Sequence, residues 1–595
     1  MSTVPFDSPS RELGAHFSSE GVRYTAWAMG KASVDVHIRK ADGKKRQILS
    51  MEKSDDGYFT ALDRNGCVGD LYSFRVDDHN DLPDLASRYQ PEGCTGPSMV
   101  VDPAVYLWKT PKWKRPAWGG QVIYEVHVGT FTQEGTFRAA IERLDHLVQL
   151  GVTAIELMPL AECTGTRNWG YDGVLLFAPY HVYGTPDDLR AFVDACHEHG
   201  LAVYLDVIYN HIGAVGDCTH FYSPYFALPE DKGTWGKSFN LDGANSRPVR
   251  NFLLQNVVYW LDEFRIDGFR FDATHAIHDE SKTHFMAEAV ELVRTRGAIT
   301  MVEDDRNSAD LFKSVREGGW HIDAAWADDF HHTARVSQTK EDHSYLGRFD
   351  GTLEEIADTL RHGWFFRGQV PPKMDEPRGT DCQHLPPESF IHCISNHDQV
   401  GNRPFGDRLH QIISPEAYRA LSLFFCLTPY TPLFFMGQEW AASSPFLFFS
   451  DHPGDFGRLV TEGRKREFRF ETQKLHKPLP DCQAESTFRD SQLHWSELSE
   501  PSHRETLALY REALSLRREF FGGRNPARDC WSVEVGAKNI SLNYQWPERW
   551  LRVTLWQSRP NEHDEKVILR SNHKRFGGSD RNEGPETIVT SGATS

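Results

Sequence analysis

Three carboxylates in this chain lie at or just beyond the end of a short apolar run, where a buried strand would end. They are Asp272, Glu303 and Asp398. Two carboxyl groups about 5–5.5 Å apart can cleave a glycosidic bond with retention, because one attacks the anomeric carbon while the other donates and then accepts a proton. This pattern predicts a retaining glycosidase with Asp272 as nucleophile, Glu303 as general acid/base and Asp398 as a third essential carboxylate.

The residues next to two of these carboxylates support the assignment. Arg270 precedes Asp272 by two positions, so both side chains point to the same face of a strand, and the arginine favours the ionised form that a nucleophile needs. Glu303 is followed by Asp304 and Asp305, and neighbouring carboxylates together with partial burial raise a glutamate pKa toward that of a proton donor. The alternatives are a structural Arg–Asp pair and a solvated acidic turn.

Two strand ends also carry Asn and His side chains. The run 202–209 reads as a buried strand and is followed by Asn210 and His211, for which a capping or core hydrogen bond is the favoured interpretation of either residue alone. His397 and Asp398 follow another strand, where they could bind a sugar diol or cap a helix. Four polar strand ends in this order nevertheless favour a single catalytic site.

The elements that must position these groups alternate between short apolar strands and amphipathic helices over residues 106–522. About eight such units favour a (β/α)8 TIM barrel, in which catalytic groups lie at the C-terminal ends of the strands. A doubly wound sheet is the alternative, but no G-x-G-x-x-G follows a strand. The predicted strands are 121–128, 154–158, 202–209, 268–271, 299–303, 390–395 and 432–436, and the predicted helices are 136–150, 185–200 and 249–264.

Two β-rich regions flank the predicted barrel. Residues 1–105 predict an N-terminal, immunoglobulin-like β-sandwich, because short alternating runs are separated by turn residues. Residues 523–595 predict a small C-terminal β domain whose last ten residues are disordered. The predicted strands are 22–27, 34–38, 58–62 and 71–76 in the first region, and 540–544, 551–556 and 566–569 in the second.

Composition excludes several classes of protein. The net charge of −19 argues against a nucleic-acid partner, and no run reaches the ~18 apolar residues that a membrane span needs. Residues 1–17 lack an apolar signal segment, and the ten cysteines form no C-x-x-C pair, so we expect a cytoplasmic protein with reduced thiols. No cofactor or metal is expected, since zinc spacing is absent and residues 211–246 lack a dense run of oxygen ligands. The sequence leaves open a monomer or a homodimer.

At these residues the chain resembles the α-amylase family of glycoside hydrolases. Its four signature regions are matched by residues 206–211, residues 268–272, Glu303 and residues 396–398. The resemblance implies a retaining enzyme that acts on α-glucosidic bonds, with Asp398 binding hydroxyls and helping to distort the ring. It also implies that Tyr171 is the aromatic platform under the sugar. His211, Arg270 and His397 would be polar contacts to that sugar.

Within that family the chain is most similar to the malto-oligosyltrehalose trehalohydrolases. The likeness lies in residues 83–98, 326–332, 397–403, 436–439 and 446–452, with departures at Leu85, Ala327 and Gln438. It implies hydrolysis of the α-1,4 bond next to a terminal trehalose unit, with an α-glucan oligosaccharide as substrate. Further candidate substrate contacts are His275, Asp329, His331, Arg403 and Glu439, of which Asp329, His331 and Glu439 are assigned to the trehalose side.

Two other functions remain open at this point. A glycogen-branching transferase shares the N-terminal β domain, the barrel and the three acids, and differs only in whether water or a sugar hydroxyl reaches the covalent intermediate. A non-catalytic glucan-binding protein is the alternative of another class, and the intact trio of acids argues against it. Product analysis would separate the two enzymes.

Overall fold

The computed structural model describes residues 12–41, 43, 46–228, 235–558, 566–579 and 584–594. Two antiparallel sheets form the N-terminal region, in the orders β1-β2-β6-β5 and β4-β3-β7-β8, with β9 on β7. The four predicted strands there correspond to β2, β3, β6 and β7. The strands are β1 (Gly14–Ser18), β2 (Gly21–Trp27), β3 (Val34–Arg39), β4 (Arg46–Ser50), β5 (Glu52–Lys53), β6 (Tyr58–Asp63), β7 (Leu71–Val76), β8 (His79–Leu82) and β9 (Ser98–Met99).

Eight parallel strands close into a barrel in the order β10-β11-β14-β15-β16-β17-β18-β19, which confirms the predicted (β/α)8 class. The sixth, β17, was missed by the sequence prediction because it is only three residues long. The barrel strands are β10 (Ile123–Val126), β11 (Ala154–Leu157), β14 (Ala202–Val207), β15 (Gly268–Phe271), β16 (Ile299–Val302), β17 (Ala324–Trp326), β18 (Phe390–Cys393) and β19 (Thr431–Phe435), and β12 (Ala161–Glu162) and β13 (Leu175–Pro179) form a separate hairpin.

The inside of the barrel changes from apolar to polar toward the C-terminal ends of the strands. Inward-facing residues near the bottom form one apolar cluster that includes Ile123, Ala154 and Tyr204. Two residues further along, the side chains on several of the strands are charged, as at Glu125 and Asp206. Since burying a charge without a partner is costly, this polar layer requires internal pairing.

Helices surround the barrel, and of the three predicted starts at residues 136, 185 and 249, the first two lie within one residue of an observed start. Thr185 caps α4 in a capping box with Asp188. The helices are α1 (Val128–Phe131), α2 (Phe137–Ile141), α3 (Leu144–Leu150), α4 (Pro186–Glu198), α5 (Thr219–Tyr222), α6 (Ser246–Phe264), α7 (Phe285–Thr295), α8 (Asp329–Thr339), α9 (Leu353–His362), α10 (His397–Gly401), α11 (Leu409–Ile412), α12 (Pro415–Cys426), α13 (Gly454–Glu467), α14 (Arg469–Leu475), α15 (Glu485–Asp490) and α16 (Pro501–Phe521).

The single helix predicted over 136–150 is wrong. It is split into α2 and α3, and in the second of these Leu144, Leu147 and Leu150 are buried while Val148 is 39% exposed. The predicted strands also differ from the observed ones at their ends. The strand predicted over residues 121–128, for example, extends beyond β10 into α1. In the described residues no helix is long and apolar enough to cross a membrane.

The C-terminal region forms a five-stranded antiparallel sheet in the order β20-β21-β22-β24-β23. Its strands are β20 (Trp531–Val535), β21 (Asn539–Gln545), β22 (Arg549–Trp556), β23 (Val567–Arg570) and β24 (Glu586–Ala593). The expectation of a disordered tail is wrong, because β24 pairs with β22 over eight residues and lies inside the sheet. The predicted domain limits at residues 105 and 522 stay predictions.

Candidate active site

Arg270 lies at the centre of the polar layer of the barrel and joins two of the predicted catalytic acids. Its side chain is fully buried on β15. Nη1 donates to Asp272 Oδ1 at 2.7 Å, and Nη2 donates to Glu303 Oε2 at 2.6 Å. Nη1 also contacts Asp206 Oδ2 at 2.6 Å. One guanidinium therefore holds the two carboxylates close together and compensates their charge.

The Asp272 carboxylate is held by donors on both of its oxygens. Besides the bond from Arg270 to Oδ1, Asn210 Nδ2 donates to Oδ2 at 2.7 Å and to the backbone oxygen of Asp272 at 3.0 Å. The sequence favoured a capping or core hydrogen bond for Asn210, and the structure places its amide on the predicted nucleophile. Donors on both oxygens fix the direction in which the carboxylate points.

The two carboxylate oxygens of Glu303 differ in their hydrogen bonding. Oε2 accepts from Arg270 and, at 3.1 Å, from the backbone nitrogen of Ala273. Oε1 receives no hydrogen bond from the described residues, and the side chain is 22% exposed. Ala273 has a left-handed φ of 38°, a strained value for a residue with a side chain, and this turns its N–H toward Glu303.

Burial raises the pKa of Glu303; Arg270 opposes this rise and Asp272 adds to it. The expectation of a raised pKa is therefore met in direction, but the carboxylate responsible is Asp272 rather than Asp304 or Asp305. Asp304 is occupied by Thr274 at 2.8 Å and by Arg306 at 2.5 Å.

The predicted sugar contacts Tyr171 and His397 form one unit with Asp206. The two rings stack with centroids 5.1 Å apart and planes inclined by 22°. The Tyr171 hydroxyl lies 2.8 Å from His397 Nε2 and donates to Asp206 Oδ2 at 2.7 Å. Burial, opposed by Arg270 but reinforced by Asp272, raises the pKa of Asp206 to about 7.

His397 is bound from below by Glu125, whose role the sequence analysis missed. Glu125 Oε2 accepts from the backbone nitrogen of His397 at 2.9 Å, and Oε1 contacts Nδ1 of the ring. Burial lowers the pKa of His397, but Glu125 and Asp398 more than offset this and raise it to about 10. The ring is therefore a cation at neutral pH.

Asp398 is the third predicted acid, and it borders the same site. Its Oδ1 accepts from Asn402 Nδ2 at 2.9 Å and lies 3.5 Å from His397 Nε2. Burial raises the pKa of Asp398, His397 opposes this rise, and Glu303 adds to it. The side chain is 35% exposed, so it can still reach a ligand in the barrel mouth.

Two of the remaining histidines lie at the margin of the site. His211 Nε2 lies 3.0 Å from the backbone oxygen of Tyr171, and Nδ1 contacts Asn210. The ring therefore links Tyr171 to Asn210, the residue that donates a hydrogen bond to Asp272. His275 lies two residues beyond Ala273, and its Nδ1 is 3.7 Å from Asp305.

Two candidates from the trehalohydrolase likeness have structural partners instead. Asp329 is buried, and its Oδ2 accepts from Asn307 at 2.7 Å and from the backbone nitrogens of Phe365 and Phe366 at 2.8 and 3.1 Å. His331 is also buried, with Nδ1 3.0 Å from the backbone oxygen of Ile394. The segment 326–332 is not a loop, because it contains the end of β17 and the first turn of α8.

The side chains of Glu439 and Arg403 also have hydrogen-bond partners within the protein. Glu439 is fully buried and contacts the Tyr124 hydroxyl at 3.1 Å and His146 Nε2 at 2.7 Å, which ties the end of β19 to neighbouring elements. Arg403 Nη1 donates to Glu341 at 3.1 Å. Asp329, His331, Arg403 and Glu439 are therefore each held by protein groups other than the three acids.

Other residues beside the acids were missed as site residues. Trp326 packs its ring against Arg270, whose Cζ is 4.3 Å from the ring centroid, and Asp328 is within electrostatic range of Glu303. The strand before Asp328, β17, has only three residues, so the sequence pattern gave no signal for this position. Among the residues that the structure describes, no three His, Cys, Asp or Glu side chains are grouped to hold a metal ion.

Comparisons with known proteins agree with this fold. Residues 108–223 match the alpha amylase catalytic domain. A malto-oligosyltrehalose trehalohydrolase from Deinococcus radiodurans is 42% identical, over 84% of this chain and 81% of the relative, and one from Saccharolobus solfataricus is 38% identical over 85% and 87%. A crystal structure of a protein assigned as an alpha amylase from Salmonella typhimurium is 36% identical, covers 98% of this chain and 99% of its own, and has a TM-score of 0.88. The chain belongs to the malto-oligosyltrehalose trehalohydrolase family, within the α-amylase family of glycoside hydrolases.

Proposed function

We propose that this glycoside hydrolase cleaves the α-1,4-glucosidic bond next to the terminal trehalose unit of maltooligosyl trehalose and releases trehalose and a malto-oligosaccharide. The observation that carries the catalytic assignment is the bridge from Arg270 to Asp272 and Glu303. It holds the two carboxylates close together, as the retaining mechanism with its separation of about 5–5.5 Å requires. The trehalose specificity rests on the names of the relatives.

The first step transfers the glucan to the enzyme. Asp272 attacks the anomeric carbon with an electron pair from one oxygen, and the bond from that carbon to the leaving oxygen breaks. Glu303 gives its proton to the leaving oxygen, so that trehalose departs neutral. Oε1 of Glu303 is the oxygen that carries this proton, because Oε2 already accepts from Arg270 and Ala273.

The second step returns the enzyme to its starting state. Glu303, now ionised, takes a proton from water, and the water oxygen attacks the same carbon and displaces the Asp272 carboxylate. The malto-oligosaccharide leaves with its original anomeric configuration. The carboxylate of Asp272 returns to its two donors, Arg270 and Asn210, which stabilise it as a leaving group.

The other residues bind and orient the sugar whose bond is broken. Tyr171 offers its ring face as a platform, and His397, which stacks against that ring and lies 2.8 Å from its hydroxyl through Nε2, keeps it in place. Asp398 accepts hydroxyl hydrogens on the same side and favours the distorted ring of the transition state. His211 keeps the Tyr171 loop in place through the backbone oxygen of that residue.

One assay tests this function. The purified protein is incubated separately with maltotriosyl-trehalose, soluble starch and maltopentaose, and the products are separated by chromatography. We expect free trehalose and maltotriose from the first substrate, with slower cleavage of the other two. New α-1,6 branches without trehalose would assign the branching transferase, and binding without any product would assign a non-catalytic glucan-binding protein.

We also propose a reducing, cytoplasmic environment. All ten cysteines have free thiols, and eight of them are buried. Such thiols persist where disulfides are kept reduced. The prediction of a monomer or a homodimer is checked by light scattering of the purified protein.

A further inference from the structure

Asp328 stands in the mouth of the barrel, just beyond the sixth strand. The strand ends at Trp326, an inward residue whose ring lies under Arg270. Ala327, the next residue, is buried on the opposite side, in the core outside the barrel. Because side chains alternate, Asp328 returns to the side of Trp326, one layer above it.

The Asp328 carboxylate has no protein donor among the described residues. It occupies the N-cap position of α8, but its side chain makes no capping bond. Burial, together with the neighbouring carboxylates Glu303 and Asp398, raises its pKa to about 7. The residue is half-buried, so its carboxylate, which lacks a protein donor, takes its hydrogen bonds from water or from a ligand in the barrel mouth. Hydroxyl groups of a bound sugar would supply the missing donors.

The order of the barrel strands tells which part of the substrate Asp328 faces. β17 lies between β16, which ends before Glu303, and β18, which precedes Asp398. Tyr171, the platform for the sugar that is attacked, follows β11 on the opposite wall of the barrel. The leaving sugar must lie on the side of Glu303, since that residue protonates the leaving oxygen.

We propose that Asp328 accepts hydrogen bonds from hydroxyl groups of the leaving trehalose unit and is a specificity-determining residue of the enzyme. This inference rests on the proposed function and names the side chain that binds the leaving group. It replaces Asp329, whose Oδ2 accepts from Asn307 and two backbone nitrogens and whose Oδ1 lies 3.5 Å from Arg378 Nη1. Trehalose is an uncharged polyol, so recognition depends on hydroxyl donors of this kind.

The test compares two substrates that differ only in the leaving group. The leaving group of maltotriosyl-trehalose is trehalose. The leaving group of α-maltotriosyl fluoride is fluoride, which needs neither a proton from the enzyme nor a binding site for a disaccharide. In Asp328→Asn and Asp328→Ala, we expect kcat/KM for maltotriosyl-trehalose to fall about 10- to 100-fold. We expect kcat/KM for the fluoride to stay within about twofold. The inhibition constant for trehalose should rise about tenfold or more.

The control is Asp310→Asn, an exposed acid between β16 and β17 that should alter neither substrate. Melting temperatures verify that each variant is folded. An equal loss on both substrates, or no loss on either, would overturn the assignment of Asp328 while leaving the proposed function intact. A wild-type protein that releases no trehalose would overturn the proposed function and the inference together.

Discussion

Glu125 holds His397 by both oxygens of its carboxylate, one on the backbone nitrogen at 2.9 Å and the other on Nδ1 of the ring. The two residues are far apart in the sequence, on β10 and at the start of α10, and both are buried. This pair fixes the orientation of the ring on which Tyr171 stacks. It also keeps the ring positively charged, and Nε2 of that ring lies 3.5 Å from Asp398 Oδ1.

Replacing Glu125 with glutamine should lower both stability and activity, because the cation loses its partner. The pKa of His397 is raised to about 10 from an unfolded value of about 6.5. The pair therefore stabilises the fold fully below about pH 6.5 and loses this effect as the pH rises through about 10. We expect the melting temperature of Glu125→Gln to lie below that of the wild type at pH 6.5, with the difference narrowing toward pH 10.

A matched control is Glu162→Gln, since Glu162 is a buried acid that contacts His181 Nδ1 at 2.9 Å away from the catalytic acids. That variant should lose stability but keep its kcat, whereas Glu125→Gln should lose about 10- to 100-fold in kcat. A difference in melting temperature that does not vary with pH for Glu125→Gln would contradict the role given to the charged ring.

Arg270→Lys should reduce kcat by about 10²- to 10³-fold, because an ammonium cannot donate from two nitrogens to Asp272 and Glu303 at once. Steady-state kinetics with maltotriosyl-trehalose measure this effect. Arg250→Lys is the control, since Arg250 is equally buried and pairs with Asp279 at 2.7 Å outside the site. If kcat of Arg270→Lys equalled that of Arg250→Lys, the hydrogen bonds from Arg270 to Asp272 and Glu303 would have no catalytic importance.

Asp272→Ala should abolish hydrolysis, with a loss of at least about 10³-fold in kcat, because the covalent intermediate cannot form. The space left by the carboxylate admits a small anion. With α-maltotriosyl fluoride and azide, we expect the variant to form the β-glycosyl azide, which nuclear magnetic resonance identifies by its anomeric proton. Trehalose release at the wild-type rate would refute the nucleophile assignment.

Glu303→Gln should bind substrate but not cleave it, because an amide has no proton to give. Burial raises the pKa of Glu303. Its acid form, and with it kcat/KM, is therefore retained to higher pH than for an ordinary glutamate and is lost as the pH rises through the raised pKa. Calorimetry with maltotriosyl-trehalose should give the same affinity within about threefold. A variant that cannot bind would point to a structural role.

Asp329→Asn should destabilise the protein without changing its specificity. The amide would lose part of the contact to the backbone nitrogens of Phe365 and Phe366, at a cost of about 1.5–3 kcal/mol in the free energy of unfolding. Urea unfolding and kcat/KM for maltotriosyl-trehalose are measured on the same preparation. A fall in kcat/KM at unchanged stability would restore Asp329 as a substrate contact.

The sequence by itself determined the barrel, the three acids and the pairing of Arg270 with Asp272. These features depend on local rules: apolar runs of strand length, alternation of side chains along a strand, and the position of polar residues at strand ends. The same rules predicted a raised pKa for Glu303. They did not identify the responsible neighbour, because Asp272 lies on a different strand.

Only the tertiary structure decided which neighbouring residues complete the site. β17 has three residues and lacks the length that a sequence pattern needs, so the inward direction of Asp328 rather than Asp329 became visible only with the closed barrel. Glu125 and Asp206 likewise acquire their roles from strands that are brought together across long separations in the chain. Charges in a buried layer must be paired, and their partners are set by the order of strands in the barrel and not by order in the sequence.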